Sequence, residues 1–375
     1  MNIESLETRL IEHPLSGEFH PSWGPGLVQT SLSITLVILE LENGIRGYGA
    51  LPTSDREGKV GIETFLQNEL EGMDVFSAEK INKKLRTASL RMTWPWGVEL
   101  AVWDAIGKTL EKPVYKLWGG YQDKIKVYAS LGEVKDPEIR SRDARELLEK
   151  GFSGIKLRFG NDNWEKDIEV ARKVHDTIGE EMDIMVDANQ ADILPGAEGE
   201  KTWDYYDALE VGRALEELGV SWLEEPLPRF AMSDLQMLNN KLELPLAGGE
   251  KNQMMHEFKQ LIEEGCYDII QGDAAFSEGL FQLRKIAGFA EMHHKKFVPH
   301  TWCNCITLFG NLQLAASLPN CPWFEFPWED PGWTEEINSF LFKENLKIED
   351  GYINVPKKPG LGFEIDTNLL QKFGQ

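Results

Sequence analysis

The sequence predicts an α/β protein in which a TIM-type (β/α)8 barrel, complete or in a modified (β/α)7β form, follows a smaller α+β domain. Strand-sized apolar runs recur along the central part of the chain, and helix-sized intervals separate them. Most of these runs end in a polar residue. The chain of 375 residues, 42% of them hydrophobic, is long enough to bury a barrel core and a second domain.

The first 121 residues are predicted to form an α+β capping domain. Residues 31–41 alternate in polarity, which indicates a strand, and Asn43-Gly44 predicts a hairpin turn into a partner strand. Proline and glycine punctuate residues 12–26, so this stretch is predicted to be a loop. Apolar stripes with helical spacing predict two helical regions. They lie at residues 61–89 and 96–110.

Residues 122–340 are predicted to form the barrel, with a helix after each of the first seven strands. The strands are expected at residues 126–131, 154–158, 183–189, 220–224, 244–248, 267–271, 296–299 and 322–326. The longer interval at 191–202 predicts a loop that either overhangs the barrel rim or is a plain surface insertion. Residues 341–375 are rich in turns and are predicted to return to the capping domain and complete it.

Polar residues end six successive barrel strands. They are Asp187, Glu224, Glu250, Asp273, His300 and Glu325. In a barrel the carboxyl ends of the strands form the rim where active sites are built. Asn189 lies two residues after Asp187 and therefore faces the same way. Three carboxylates converging there would repel one another unless a hard divalent cation held them, and oxygen ligands suit Mg²⁺. We therefore expect one Mg²⁺ per chain.

Basic residues add to this predicted rim. Lys156 and Arg158 alternate with apolar residues on the second barrel strand, so both should point into the barrel, where they need carboxylate partners or a chemical role. Asp273 and His300 end neighbouring strands and are expected to form a carboxylate–imidazole pair. Such a pair fixes the tautomer of the ring and raises the basicity of its other nitrogen. His300 is therefore a candidate general acid or base.

Charge and composition exclude several classes of protein. The formal net charge of −23 argues against nucleic-acid or anionic-membrane partners. We see no signal peptide, and the aliphatic run near 34–39 is far shorter than the roughly 20 residues that span a bilayer, so we expect a cytoplasmic protein. Four cysteines do not make a disulfide framework. Cys303 and Cys305 could form a soft-metal or redox pair, but small buried helix residues fit better.

Taken together, these motifs resemble the enolase superfamily and, within it, the mandelate racemase-like branch. The resemblance spans nearly the whole chain. It is carried by Trp103-Asp-Ala-Ile-Gly-Lys108, Lys156-x-Arg158, Val186-Asp-Ala-Asn-Gln190, Glu224-Glu-Pro226, Gly248-Gly-Glu250, Gly272-Asp273, Pro299-His300 and Pro359-Gly-Leu-Gly362. It implies that Asp187, Glu224 and Glu250 bind Mg²⁺, which stabilises an enediolate formed when the α-proton of a carboxylate substrate leaves. It also implies that Glu325 hydrogen-bonds this intermediate; the alternative is a buried structural ion pair.

The chain departs from the usual Lys-x-Lys pattern of this family, because position 158 is arginine. Arginine has a pKa above about 12 and cannot take a proton near neutral pH. A two-base racemase needs a group on each face of the α-carbon, whereas a dehydratase can work with the Asp273–His300 pair alone. Lys156 is then either a second acid/base or, with Arg158, a binder of the substrate carboxylate.

The resemblance therefore predicts a Mg²⁺-dependent lyase that dehydrates an aldonate or aldarate to a 2-keto-3-deoxy acid. The alternatives are a racemase, epimerase or cycloisomerase acting on another carboxylate, and a non-catalytic, metal-stabilised binding barrel. We expect a small-molecule carboxylate substrate, no nucleic-acid or membrane partner, and a homo-oligomer. Substrate contacts are expected from the rim and from two lids of the capping domain. The first lid is the predicted loop at residues 12–26, which contains His13, His20 and Trp23, and the second contains Arg91, Thr93 and Trp94. The candidate substrate contacts are Asn189, Trp302, His20, Trp23 and Arg91.

Overall fold

The computed structural model describes residues 1–52, 56–92, 94–161, 163–192 and 202–373. The chain begins with an antiparallel sheet of three strands in the order β1, β2, β3. They are β1 (Ile3–Phe19), β2 (Gln29–Leu41) and β3 (Arg46–Leu51). The predicted hairpin between β2 and β3 is confirmed: the amide of Gly44 donates to the carbonyl of Leu41 at 2.7 Å. Gly44 has φ +80°, which glycine adopts at no steric cost.

The predicted loop at residues 12–26 is wrong in its first half. Strand β1 continues through this region as far as Phe19, which pairs with Gln29 of β2. Proline has no amide hydrogen to donate to a neighbouring strand. Pro14 is tolerated because β1 is an edge strand, which pairs with another strand on one side only. The pairing register shifts between Pro14 and Phe19, so the proline and glycine distort this strand rather than end it.

Helices cover one side of this sheet. They are α1 (Arg56–Gly61), a π-helical turn (Ile62–Leu66), α2 (Gln67–Leu70), α3 (Ala78–Ala88), α4 (Gly97–Thr109) and α5 (Val114–Leu117). The helical region predicted at 61–89 is interrupted after α2, where Gly72 has φ +78°. Helix α4 approaches β3 so closely that a Cβ atom at Gly49 would lie 1.8 Å from the carbonyl oxygen of Gly97. Glycine at position 49 is therefore required by packing.

The barrel strands follow in the predicted order, and each overlaps its predicted run. They are β4 (Lys124–Ser130), β5 (Gly154–Arg158), β6 (Asp183–Asp187), β7 (Leu223–Glu224), β8 (Leu246–Gly248), β9 (Ile269–Ile270), β10 (Lys296–Phe297) and β11 (Trp323–Pro327). Strands β4 to β10 pair in parallel in chain order, and β11 returns to pair with β4. Within the described residues no ladder joins β10 to β11. Instead, the amide and hydroxyl of Thr301 donate to Glu325 at 2.6 and 2.8 Å.

One helix follows each of the first seven barrel strands. They are α6 (Pro137–Glu149), α7 (Trp164–Ile178), α8 (Tyr205–Glu217), α9 (Met232–Asn239), α10 (Met254–Glu263), α11 (Leu280–Met292) and α12 (Cys305–Ala316), and a 3-10 turn (Gly179–Glu181) extends α7. The fully described stretch after β11 contains the short strands β12 (Ile348–Glu349) and β13 (Tyr352–Asn354) before the next helix, α13 (Thr367–Phe373). The architecture is therefore the modified (β/α)7β form.

The C-terminal segment contacts both parts of the chain. Strand β13 pairs antiparallel with barrel strand β4, while α13 packs against β1. The amide of Leu361 donates to the buried carboxylate of Asp104 in α4 at 2.9 Å, and the amide of Tyr48 donates to its other oxygen at the same distance. Asp104 thus joins β3, α4 and the C-terminal segment. The domain boundaries at residues 121 and 340 stay a prediction.

Two further sequence expectations concern cysteines and membranes. All four cysteines are free and buried; Cys305 is the first residue of α12, and Cys303 lies two residues before it. In the part of the chain that the structure describes, none of the helices combines the length and the apolar surface needed to cross a bilayer.

Helix α4 also contacts the barrel through Glu99, whose carboxylate is almost fully buried. Asn82 donates to one carboxylate oxygen at 3.3 Å, and the other faces Gly279 at the start of α11. Burial raises the pKa of Glu99 to about 8, because the ionised form loses its hydration there. This contact between α4 and α11 is therefore sensitive to pH.

We expect Glu99 to make the fold less stable as the pH rises. The pKa of Glu99 is higher in the folded state than in the unfolded state. Its contribution to the free energy of unfolding is therefore fully present below about pH 4.5 and is lost as the pH rises to about 8. The loss is on the order of 1 kcal/mol per pH unit. Glu99→Gln should flatten this slope in chemical denaturation across that range. Glu138→Gln, at an exposed site on α6, is the control and should keep the wild-type slope. An equal slope in all three proteins would contradict the assignment.

Candidate active site

The barrel strands bring the predicted charged residues into one buried layer. Arg158 is in register with Asp187, and Asp187 is in register with Glu224, across β5, β6 and β7. Parallel strands in one barrel register place their carboxyl ends at the same rim. The side chains buried in this layer are those of Lys156, Arg158, Asp187, Glu224, Glu250, Asp273, His300 and Glu325. Two cationic side chains and several carboxylates therefore share one poorly hydrated volume.

Lys156 lies at the centre of this layer. Its Nζ is 2.8 Å from both carboxylate oxygens of Glu224, 2.7 Å from Oε1 of Glu325 and 3.6 Å from Oδ2 of Asp187. Burial would lower the pKa of Lys156, but the negative charges of Glu224 and Glu325 outweigh it and raise the pKa. Lys156 is thus a protonated ion-pair partner, as expected for a cation on a buried strand.

Arg158 stands between carboxylate and aromatic groups. Its Nη1 contacts Asp187, and its Nε donates to the carbonyl of Leu131 at 2.6 Å. The guanidinium carbon lies 5.2 Å from the ring centroid of Trp23 and 6.0 Å from that of Trp302. A planar guanidinium stacks on indole rings in a way that a lysine ammonium cannot. This environment gives a physical reason for arginine at a position where the family pattern has lysine.

The predicted Asp273–His300 pair is present as a direct contact. His300 Nδ1 lies 2.9 Å from Oδ2 of Asp273, whose other oxygen accepts from the amide of Ala275 at 2.6 Å. His300 Nε2 is 3.0 Å from Oε2 of Glu250. Burial alone would lower the pKa of His300, but the negative charges of Glu250, Glu325 and Asp273 raise it to about 9. Both ring nitrogens therefore contact a carboxylate, an arrangement that favours the protonated ring.

The three carboxylates expected to bind a metal do not form a ligand cluster here. No three carboxylate, imidazole or thiolate groups of the described residues are close enough to hold an ion as they stand. Asp187, Glu224 and Glu250 each contact a basic side chain instead. Carboxylates buried together repel one another, so each takes the nearest positive group. The set of oxygen donors from adjacent strand ends still fits a hard cation, and its ligand role stays a prediction.

Sequence reasoning missed two polar residues of this layer. Gln271 donates from Nε2 to Glu224 at 2.8 Å, and Ser130 accepts from the indole nitrogen of Trp302 at 2.7 Å. Gln271 precedes Asp273 by two residues, and Ser130 ends the first barrel strand. The signal for Gln271 was its two-residue spacing from Asp273, and the signal for Ser130 was its position at the end of a strand.

A pocket of about 80 Å³ lies at this rim. Its lining residues are Trp23, Arg158, Asn189, Glu250, Lys251, Phe276, His300 and Trp302. It contains three predicted substrate contacts, namely Asn189, Trp23 and Trp302. The hydroxyl of Ser22 donates to Oδ1 of Asn189 at 2.9 Å, which fastens the first lid to the end of β6. The structure thus places this lid over the Asp273–His300 pair.

Other predicted lid residues lie elsewhere. His20 is exposed, with Nε2 3.6 Å from Glu18. Arg91 lies over the ring of Phe65 at 5.6 Å and lines a cavity of about 590 Å³ in the capping domain. It also lines a cavity of about 310 Å³ with Trp94 and the barrel residue Gln253, and its substrate contact stays a prediction. His13 points away from the rim because strand β1 buries it against the ring of Phe340. The predicted lid residue Thr93 and residues 193–201 of the predicted long loop lie outside the described residues.

Trp94, the remaining candidate of the second lid, supports the pocket from outside. Its ring meets Phe276 edge-on with 5.1 Å between the centroids, and Phe276 lies 6.1 Å from the imidazole of His300. A residue of the capping domain therefore packs against Phe276, the aromatic residue beside His300.

A (β/α)7β barrel with this rim belongs to the class of barrel enzymes that carry acid–base and carboxylate groups at their strand ends. A family model described as the enolase C-terminal domain-like family matches residues 140–369. A second, the mandelate racemase / muconate lactonizing enzyme N-terminal domain, matches residues 26–119. The chain belongs to the mandelate racemase/muconate lactonizing enzyme family of the enolase superfamily.

Relatives with known activities include dehydratases and cycloisomerases. Arabinonate dehydratase from Saccharolobus solfataricus is 32% identical over 361 residues, which cover 93% of this chain and 92% of the relative. A solved L-talarate/galactarate dehydratase mutant liganded with Mg and L-glucarate is 28% identical, with a TM-score of 0.84. The match covers 100% of this chain and 92% of the chain in that structure. The 3,6-anhydro-D-galactonate cycloisomerase from Zobellia galactanivorans is 26% identical, with a TM-score of 0.84 and complete coverage of both chains.

We expect removal of the Lys156 charge to destabilise the fold. Lys156→Met leaves buried Glu224 and Glu325 without their main counter-charge, a change that costs about 3–5 kcal/mol of unfolding free energy. Lys126→Met is the matched control, because Lys126 pairs with Asp183 where the two side chains are 38% and 41% exposed. The control should change the free energy far less. Chemical denaturation measures both variants, and equal losses would contradict the central role of Lys156.

Proposed function

We propose that this protein is a Mg²⁺-dependent dehydratase of acid sugars. It would remove the α-proton of an aldonate or aldarate and expel the β-hydroxyl, giving a 2-keto-3-deoxy acid. The observation that carries the proposal is the Asp273–His300 pair at the rim, which supplies a proton carrier 3.0 Å from Glu250, one of the proposed metal ligands. The dehydratase names of relatives that cover most of the chain support the same reaction.

We assign Asp187, Glu224 and Glu250 as the metal ligands. Their carboxylate oxygens come from three adjacent strands, and the ligand preference of Mg²⁺ supports the assignment. A related dehydratase structure is described as liganded with Mg. The bound ion would stabilise the negative charge that develops on the substrate carboxylate as the α-proton leaves. Lys156 and Arg158 are the cations that would bind and orient this carboxylate.

His300 carries the proton in the proposed reaction. With the pKa of His300 raised to about 9, the ring acts as the base in the minority form that lacks a proton at Nε2. In that form Nε2 takes the proton from the α-carbon while Asp273, bonded to Nδ1, holds the ring in the required tautomer and balances the positive charge that results. The electron pair of the broken C–H bond forms a double bond to the β-carbon, and the β-hydroxyl leaves as water with a proton returned by His300. Tautomerisation of the resulting enol gives the 2-keto acid. Glu325, fixed by the Thr301 amide, is proposed to hydrogen-bond the intermediate.

Cycloisomerisation is the second candidate, because a fully overlapping relative is a 3,6-anhydro-D-galactonate cycloisomerase. It would begin with a similar proton transfer. Racemisation is less well supported, since it needs a base on the other face of the α-carbon. On that strand Arg158 does not lose its proton near neutral pH, and Lys156 has carboxylates close to its ammonium group.

Product analysis across a library of mono- and diacid sugars tests this proposal. With Mg²⁺ present, we expect at least one acid sugar to give a 2-keto acid. Exchange of an α-deuterium without keto-acid formation would contradict dehydration and indicate a racemase or epimerase. A ring-closed product would indicate a cycloisomerase. No turnover of any acid would favour a non-catalytic, metal-stabilised binding barrel.

We expect His300→Asn to separate catalysis from metal binding. Losing the proton carrier should lower kcat roughly 10²–10⁴-fold. The Mg²⁺-induced rise in the denaturation midpoint should persist, because His300 is not a proposed ligand. Glu250→Gln is the comparison variant and should lose both kcat and this Mg²⁺ effect. Steady-state kinetics and thermal denaturation with and without Mg²⁺ measure these quantities, and a near-normal rate in His300→Asn would exclude it as the base.

A further inference from the structure

We infer that this site selects sugar acids with one carboxylate, the aldonates, over aldarates with a carboxylate at each end. The inference rests on the proposed dehydratase function and narrows its substrate class. It follows from the charges and the aromatic walls of the pocket. Arg158 is the pocket cation assigned to the first carboxylate, Lys251 already contacts two protein carboxylates, and the remaining walls are largely aromatic.

The proposed function assigns the cations nearest the Asp273–His300 pair to the first substrate carboxylate. Arg158 lines the pocket and contacts Asp187, while Lys156 lies beneath it among the carboxylates of Glu224 and Glu325. Both side chains are buried on strand β5 and cannot reach along the substrate to its other end. They provide one binding place for a carboxylate.

Lys251 is the remaining pocket cation besides His300, and it is held by two carboxylates. Its Nζ lies 2.7 Å from Asp192 and 3.2 Å from Glu250, and Asp192 also contacts Arg229. A second substrate carboxylate near Lys251 would share this one ammonium group with Asp192 and Glu250. Arg229 also neutralises Asp192, so the limit at Lys251 is contact rather than net charge: two protein carboxylates already occupy its ammonium group. Lys251 therefore balances protein charge and does not offer an open place for an anion.

The other walls are aromatic and carry no charge. Trp23 and Trp302 lie with 5.1 Å between their ring centroids, and Phe276 lies beside His300. The indole nitrogen of Trp302 is already used as a donor to Ser130, so this ring offers its face alone. Aromatic faces are negatively polarised. They suit the C–H groups of a polyol chain, whereas a carboxylate without a partner there would lose its hydration at a cost of several kcal/mol.

The neutral polar group of the pocket is an amide. Asn189 accepts from the Ser22 hydroxyl at Oδ1, which leaves its Nδ2 hydrogens to donate to a substrate hydroxyl. In the described parts of the chain, no lysine or arginine other than Arg158 and Lys251 lines this pocket. Residues 193–201, outside the described ranges, contain two glutamates and one lysine, so their composition adds no net positive charge.

A matched pair of substrates tests the inference. The aldonate that the purified full chain dehydrates best with Mg²⁺ is compared with the aldarate of the same stereochemistry, which differs only in its terminal group. We expect kcat/KM for 2-keto acid formation to be about 100-fold higher for the aldonate. An aldarate that is dehydrated as well or better overturns the inference and leaves the dehydratase function standing. Failure of every acid sugar overturns the proposed function and this inference with it.

Substitutions at Trp23 test the physical reason. Trp23 is 40% exposed on the lid, so replacing it should not disturb the core. Trp23→Arg adds a cation to this wall and should raise the aldarate-to-aldonate ratio of kcat/KM about tenfold. Trp23→Phe keeps an uncharged ring and should leave the ratio within about threefold of wild type. Equal ratios in the two variants would show that the uncharged wall does not exclude the second carboxylate, and would overturn the inference.

Discussion

The structure depends on the balance of buried charge at the carboxyl ends of the barrel strands. Asp187, Glu224 and Glu325 are buried together and would repel one another, and Lys156 lies among all three within ion-pair distance. Arg158 provides the second positive charge from the same strand. This arrangement keeps acidic side chains together in the barrel. It also explains why the carboxylates contact cations where a metal is proposed to bind.

The fold supplies this balance through register and through the capping domain. Parallel pairing sets the ends of β5, β6 and β7 at one level, so residues far apart in the chain become neighbours. The connection between β1 and β2 carries Trp23 over the rim, and Trp94 braces Phe276 from the same domain. The barrel thus contributes the charged groups, while the capping domain contributes most of the uncharged covering.

Arginine at position 158 is the feature that distinguishes this site within its family pattern. The guanidinium keeps its proton near neutral pH and lies near two indole rings, so it can bind and orient an anion but cannot abstract a proton. The proposed proton transfer is therefore concentrated on the Asp273–His300 pair. The two indole rings beside this guanidinium, those of Trp23 and Trp302, are also uncharged walls of the pocket. Arg158 and these rings are therefore involved both in the proposed chemistry and in the inferred preference for one carboxylate.

The sequence by itself determined the barrel strands, the hairpin and the positions of the rim residues, because strand periodicity and spacing are local properties that the chain order preserves. It also determined that Lys156 and Arg158 needed carboxylate partners. Only the tertiary structure decided which carboxylates those are, that Lys251 is held by Asp192, and that Arg91 lies over Phe65. Such contacts join distant segments through side-chain packing and lid position, which no local pattern encodes.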